Sequence, residues 1–380
     1  MMRVGRIAAS VCLAACVAAA GAGLAFGDIK GFNAAVQAGD YRKAAAEAKT
    51  AWPTWDKSDP DTAIVAREFG FASYVAGDFA AAREYGVYLR DKGKTLPTPD
   101  DQPVSSAVLP AAAEFRLGAN DATRAALFNA LKAREGQAGI DNLSVLAAEA
   151  LYKFDWGKSD WAKATESANL AWRLIERAGA QLTLRALDAR SAAATAGFFR
   201  GPDKNDYDNI VDAHDAVVAA IDAADTPAKR LAFAPLKYQL EAWSMSMVNY
   251  FDSGQQTGTS IPIPIRVRVR TLKTTAQPIF PEAAVTGDQC EKLDGDFTGL
   301  RYPQSAMYNN MVGTIIMKLQ IDGSGRVTDW ETLAAVPARH FSDAVEKALP
   351  QTVFKPAPGS KPGCSVARVA MIFRMTFGML

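Results

Sequence analysis

The sequence predicts an α+β protein, with an N-terminal all-α solenoid of helical repeats followed by a small α+β domain. Three observations support this. Helical patterns recur about every forty residues over residues 28–252. Strand patterns and a tight turn appear beyond residue 300, and residues 253–264, rich in glycine, serine, threonine and proline, form a predicted linker. With 380 residues, 49% of them hydrophobic, the chain is long enough for separate cores, the second in residues 265–380.

The N-terminus has the pattern of an export signal. Arg3 and Arg6 precede the uncharged stretch Ile7–Gly27, which is rich in alanine, glycine and valine. Small residues at its end predict cleavage after Gly27, so that residues 1–27 are a signal peptide. Two alternatives remain: the stretch is retained as a membrane anchor, or Cys16 is lipidated, because Leu13 to Cys16 resembles a bacterial lipobox. In each case the remainder leaves the cytoplasm.

The helical region contains a repeated turn-and-helix signal. Gly-Asp or a similar polar pair stands before an aromatic residue, and a small residue follows three positions later. The turn is expected to start the second helix of a pair, and the small residue to let the two helices pack closely. The full Gly-Asp-aromatic signal precedes Tyr41 and Phe79, fainter copies stand at Trp161 and Tyr207, and a degenerate copy stands at Ala122. The pattern resembles tetratricopeptide repeats, although their unit is shorter, about 34 residues. Such helix pairs serve as scaffolds or as peptide grooves.

The C-terminal region predicts a β-hairpin, a helix and a final strand. Thr314–Ile321 is apolar and β-branched, residues 322–325 can form a tight turn, and residues 326–333 return as the second strand. The apolar stripe of residues 340–349 predicts a short helix that ends before Pro350. Residues 366–377 predict a last strand. The expected unit has the helix on one face of the sheet and one strand at an edge.

These signals, taken in order, resemble the C-terminal domain of the TonB family. The matching pieces are Tyr302-Pro303, the strand from Gly313, the turn at Asp322 and the segment from Phe354 to Pro356. The resemblance implies a domain that binds an extended peptide, such as a segment of an outer-membrane transporter, by strand addition. The peptide-binding residues that it implies are Tyr302, Pro303, Val366, Arg368, Val369, Met371 and Phe373.

Two departures from the family favour an interaction protein over an energy transducer. Transducers keep a membrane anchor with an essential histidine and a long proline-rich spacer, whereas Ile7–Gly27 lacks histidine and helical repeats replace the spacer. We therefore expect a protein of the Gram-negative periplasm that binds a protein or peptide partner in the envelope. The alternatives are a membrane-anchored transducer and, second, a cell-envelope hydrolase with a carboxylate pair. The oligomeric state is left open.

Catalytic and cofactor signals are weak in this sequence. The two histidines, His214 and His340, are far apart and have no metal-ligand spacing, and no recognised catalytic motif appears. The sequence thus predicts a protein that is not an enzyme and that has no catalytic residue, metal or cofactor.

Cysteine and charge patterns give two further predictions. Cys290 and Cys364 remain after removal of the signal, and an even pair in an exported chain predicts a disulfide bond. Arg266, Arg268 and Arg270 alternate and would share one face of a strand, either as a solvated face or as a contact with an anionic surface. The net charge of +1, together with export, argues against a nucleic-acid partner.

Overall fold

The computed structural model divides the chain into two compact units, Met1–Leu151 and Tyr152–Leu380. It describes residues 29–59, 62–92, 102–137, 140–179, 182–200, 203–252, 270–276, 293–296, 300–304, 306, 312–337, 340–356 and 365–373. The predicted signal segment and the predicted linker therefore lie outside the described residues. The division between the two units falls inside a helix, Asn142–Gly157.

The first unit is a succession of α-helices in which each helix packs against the next from α1 to α6. A 3-10 turn, Trp52–Thr54, follows the second helix. The helices are α1 Lys30–Gln37, α2 Tyr41–Ala51, α3 Thr62–Ala76, α4 Phe79–Lys92, α5 Gln102–Leu117, α6 Asp121–Glu135 and α7 Asn142–Gly157, whose last turns belong to the second unit.

The repeated sequence signal is a capped turn between two helices. Gly39 and Gly77 adopt positive φ angles of 71° and 87°, a backbone conformation that glycine adopts without steric cost. The next residue, Asp40 or Asp78, accepts a hydrogen bond from a backbone N–H three residues later and so caps the second helix. Ala82, at the predicted small position of the second repeat, is fully buried. The expected helix pairs are confirmed at these two positions, where α1 packs against α2 and α3 against α4.

The second unit combines the last helices with all the described strands. Its further helices are α8 Trp161–Arg177, α9 Leu184–Ala196, α10 Lys204–Ala223, α11 Pro227–Asp252 and α12 His340–Ala348, and its strands are β1 Leu293–Asp296, β2 Gly313–Ile321, β3 Val327–Val336, β4 Val353–Pro356 and β5 Val366–Phe373. One antiparallel sheet has the order β3-β2-β5, and β1 pairs with β4 in a second, two-stranded sheet.

The predicted hairpin is present, and its turn is held by one side chain. The Asp322 carboxylate accepts hydrogen bonds from the backbone N–H groups of Ser324 and Arg326. The Ser324 hydroxyl also donates a hydrogen bond to this carboxylate. The hydroxyl bond, and then the backbone bonds, stabilise the charged form and lower the pKa of Asp322. Gly325 supplies the positive φ, 81°, that lets the chain return.

Alternate residues of β2 face two different cores. On one face, Ile315, Met317, Leu319 and Ile321 pack with Phe341 and Val345 of α12 and with Leu349 and Phe354. On the other face, Ile316 joins Ala334 and Val336 of β3 in a core built largely from α10 and α11. Ser246 of α11 donates a hydrogen bond of 2.9 Å to the hydroxyl of Thr314, and both residues are fully buried. Helix α12 therefore covers one face of the sheet, and α11 covers part of the other.

Several sequence predictions differ from the structure in detail. Helix α12 ends at Ala348, and a 3-10 turn that includes Pro350 follows it. The described part of the last strand ends at Phe373, and residues 374–377 lie outside the described residues. Two strands of the three-stranded sheet, β3 and β5, are outer strands, whereas one edge was expected. Arg270 lies outside the described strands, and the other two arginines of that run are not described.

We expect that Ile316→Ala destabilises the second unit by about 2 to 5 kcal/mol, because it opens a cavity between β2 and α11. Leu231→Ala is the matched control, since Leu231 is 45% exposed and should change the free energy of unfolding by less than about 0.5 kcal/mol. Hydrogen exchange at the β2 amides measures both effects. Equal, small effects for the two variants would contradict the packing of α11 on the sheet.

Candidate peptide-binding site

The predicted residue Tyr302 lies on the α12 side of the sheet. Its ring meets that of Phe341 edge-on, with centroids 5.6 Å apart and planes at 90°. Leu300 and Tyr302 pack against the same core as Met317 and Ile315, and Tyr302 and Pro303 are half-buried. Burial raises the pKa of Tyr302 to about 12, so the phenol is neutral at physiological pH and its O–H can donate a hydrogen bond.

The predicted residues of β5 divide between the two faces of the sheet. By register, Val369 and Met371 stand opposite Met317 and Ile315, which belong to the α12-side core, and Phe373 stands opposite Gly313. Val366 and Arg368 stand opposite Gln320 and Lys318, which are positions of the other face. In the register, the first three are thus partners of the α12-side positions of β2 and of Gly313, and the last two are partners of positions on the other face of β2.

β5 is an outer strand of the three-stranded sheet that the structure describes. β5 pairs with β2 along Val366–Phe373, and within the described residues no strand pairs with its other side. An outer strand presents backbone N–H and C=O groups that another extended segment can pair with. This edge therefore has the geometry needed for strand addition.

The opposite outer strand, β3, is protected. The carboxylate of Asp329 accepts a hydrogen bond of 2.9 Å from the backbone N–H of Trp330, so that N–H is not available to an incoming strand. Asp329 and Glu331 are exposed acidic residues, and the register with β2 shifts at Ile316/Met317 and at Gln320/Ile321. Charged side chains and bulges are the devices by which proteins prevent pairing at an edge. Of the two outer strands, β5 is therefore the better site.

Lys318 stands between Glu331 of β3 and Arg368 of β5 in the strand register. Opposite charges at neighbouring positions of a sheet attract each other. The Lys318 position therefore already has an acidic neighbour on β3.

The predicted disulfide partners lie outside the described residues, but their neighbours are placed. Cys290 precedes β1 by three positions, and Cys364 directly precedes Ser365, whose carbonyl accepts a hydrogen bond of 2.8 Å from the Ile321 N–H. The disulfide bond between Cys290 and Cys364 remains a prediction.

Sequence reasoning missed a buried charged cluster between α10 and α11. His214 is fully buried, and its Nε2 lies 3.8 Å from the carboxylate of Glu241, which also pairs with Lys237. The i,i+4 spacing of Lys237 and Glu241 was the available signal. His340 begins α12. Among the described residues, no group of three or more His, Cys, Asp or Glu could hold a metal ion.

Membrane-spanning helices were also sought in the described part of the chain. None of its helices combines the length and the apolar character that a bilayer span requires.

We expect Tyr302→Phe to remove one phenol that ionises near pH 12. Folding is linked to this proton: its contribution to stability is complete below about pH 10, the unfolded value, and is lost as the pH rises through about 12. The ultraviolet difference titration between wild type and variant should have its midpoint near pH 12 when folded and near pH 10 in urea. A folded midpoint near pH 10 would contradict the burial of Tyr302.

Comparison with known proteins gives a match in the C-terminal region. Residues 298–375 match the family described as Gram-negative bacterial TonB protein C-terminal. No curated protein and no solved structure matches the chain. The match includes Tyr302, the hairpin, α12 and β5, and leaves the helical repeats outside. The C-terminal region of this chain is therefore similar to the TonB C-terminal domain, which indicates a protein of the Gram-negative cell envelope.

Proposed function

We propose that this chain is a periplasmic interaction protein that binds an extended peptide as an additional strand on β5. One observation carries the proposal: β5 has no described strand on its outer side, whereas the Asp329 carboxylate blocks a backbone N–H of the other outer strand. The similarity of residues 298–375 to the TonB C-terminal domain supports the same mode of binding.

The proposed binding mode divides affinity and specificity between backbone and side chains. The backbone of β5 would supply a ladder of hydrogen bonds that is independent of the peptide sequence. Alternate peptide side chains would then point to the two faces of the sheet. One set would lie on the α12 side, where Tyr302 adds apolar surface, and the other would lie on the side of Lys318.

The proposed partner is a segment of an outer-membrane transporter, as the TonB similarity suggests. The helical repeats would act as the scaffold that presents the C-terminal region. Binding of this kind requires no reacting group, and we therefore propose a binding protein rather than an enzyme.

We expect bound peptides to show a two-residue period in a backbone methylation scan. Peptides selected by the full chain from a random phage-displayed library would be synthesised with one N-methyl group at each position in turn. Methylation of the amides that face β5 should reduce affinity at least tenfold, and methylation of the alternate amides should change it little, because strand pairing uses every second N–H. A scan without this alternation would contradict strand addition.

Two aromatic variants locate the binding edge. Tyr302→Ala should weaken the selected peptides, because it removes surface on the α12 side of the sheet. Trp330→Ala is the matched control: Trp330 is a 38% exposed aromatic residue of the opposite outer strand, and its loss should leave the affinity unchanged. The reverse ranking would place the peptide on β3.

We expect the intact mass of the protein from its native envelope fraction to correspond to a chain that starts at Asp28. Reduction should add two mass units if Cys290 and Cys364 are bonded. An uncleaved N-terminus would support an anchored energy transducer instead, and acylated Cys16 would show a lipoprotein.

A further inference from the structure

Residues 270–276, which we call the strap, run alongside helix α10 and are hydrogen-bonded to it at both ends. At its first residue, the Tyr207 hydroxyl donates a hydrogen bond of 2.9 Å to the carbonyl of Arg270. At its last, the backbone N–H of Ala276 donates one of 2.8 Å to the carboxylate of Asp222. Six extended steps span about 20 Å, and α10 rises about 22 Å from Tyr207 to Asp222. The two lengths match, so the strap lies along the helix.

Ion pairs fix the strap to an acidic face of α10. The Arg270 guanidinium lies 2.8 Å from Asp212 and 3.9 Å from Asp215, and the Lys273 ammonium lies 3.2 Å from Asp215. The hydrogen bond and charge of Asp212 raise the pKa of Arg270. Arg270 is thus the described end of the basic run in the sequence, and the anionic surface that it contacts belongs to the same chain.

The strap also contributes to the core that holds the sheet. Leu272 is partly buried against the same apolar cluster that contains Ile316, Ala334 and Val336 of the sheet and Trp243 of α11. Between α11 and β1, the strap is the only segment that the structure describes. Its attachment to α10 therefore bears on how the sheet is held against α11.

The ion pairs of this attachment are weak because solvent reaches them. The side chains of Arg270, Lys273 and Asp212 are 44%, 67% and 50% exposed, whereas that of Asp215 is 17% exposed. Pairs in which at least one partner is this exposed stabilise modestly and are screened by salt. Separating these ion pairs would therefore cost little free energy.

We propose that the strap is an electrostatic latch: its ion pairs with α10 hold the TonB-like sheet against α11, and their loss loosens the sheet. The latch senses ionic strength or any cationic group that competes for Asp212 and Asp215. This inference is independent of the proposed peptide site, because it concerns the packing of the sheet on α11 and not the outer edge of β5.

Hydrogen exchange on the full chain tests the latch without a ligand. In the variant Arg270→Gln/Lys273→Gln, the amides of residues 270–276 and of Gly313–Ile316 should exchange about three- to tenfold faster, as expected for the loss of two to three exposed ion pairs. Wild type in about 1 M salt, where the Debye length is ~3 Å, should behave like the variant.

The control is Lys229→Gln. Lys229 lies in the first turn of α11 and forms an exposed ion pair with Asp225, which precedes the helix, so its loss should leave hydrogen exchange in both segments unchanged. Faster exchange of the strap alone, with Gly313–Ile316 unchanged, would overturn the proposal, because the strap would then hold only itself. Unchanged exchange in both segments would overturn it as well, because the ion pairs would then not hold the strap.

Discussion

The packing of α11 on the sheet is the interaction on which the rest of the second unit depends. The buried hydrogen bond between Ser246 and Thr314, set among Ile316, Ala334 and Val336, joins the helical region to the face of the sheet that α12 leaves open. A polar pair buried inside an apolar contact fixes one relative position of helix and strand, because a shifted position would leave both hydroxyls unpaired. With α12 on one face and α11 on part of the other, a partner strand is restricted to an edge.

The two edges of the sheet are not equivalent, and the difference is local chemistry. On β3, a carboxylate already occupies a backbone donor, acidic residues flank Trp330, and bulges distort the ladder. On β5, the register with β2 runs without a shift from Val366 to Phe373. A regular strand with no partner on one side among the described residues is a good template for another strand. The two outer strands therefore differ in how readily their backbones could pair with an added strand.

Local signals in the sequence were sufficient for much of this fold. Asp40 and Asp78 predict helix starts because their side chains cap the backbone within three residues, and Asp322 predicts the hairpin turn for a similar reason. Contacts between distant residues were not predictable in this way. The pairing of β1 with β4, the packing of α11 on Ile316 and the attachment of Arg270 to Asp212 join segments whose local patterns contain no information about their partners. The sequence therefore predicted which residues belong to the candidate site. The positions of these residues in the sheet, and the protection of the opposite outer strand, could be seen only in the structure.

Addition of a peptide strand to β5 is tested by the protection from hydrogen exchange that binding produces. The full chain would be compared with and without a peptide selected from a random library. We expect slower exchange at the amides of Val366–Phe373 and no change along residues 327–333. Protection of residues 327–333, or protection confined to the helices of the repeat region, would contradict strand addition to β5.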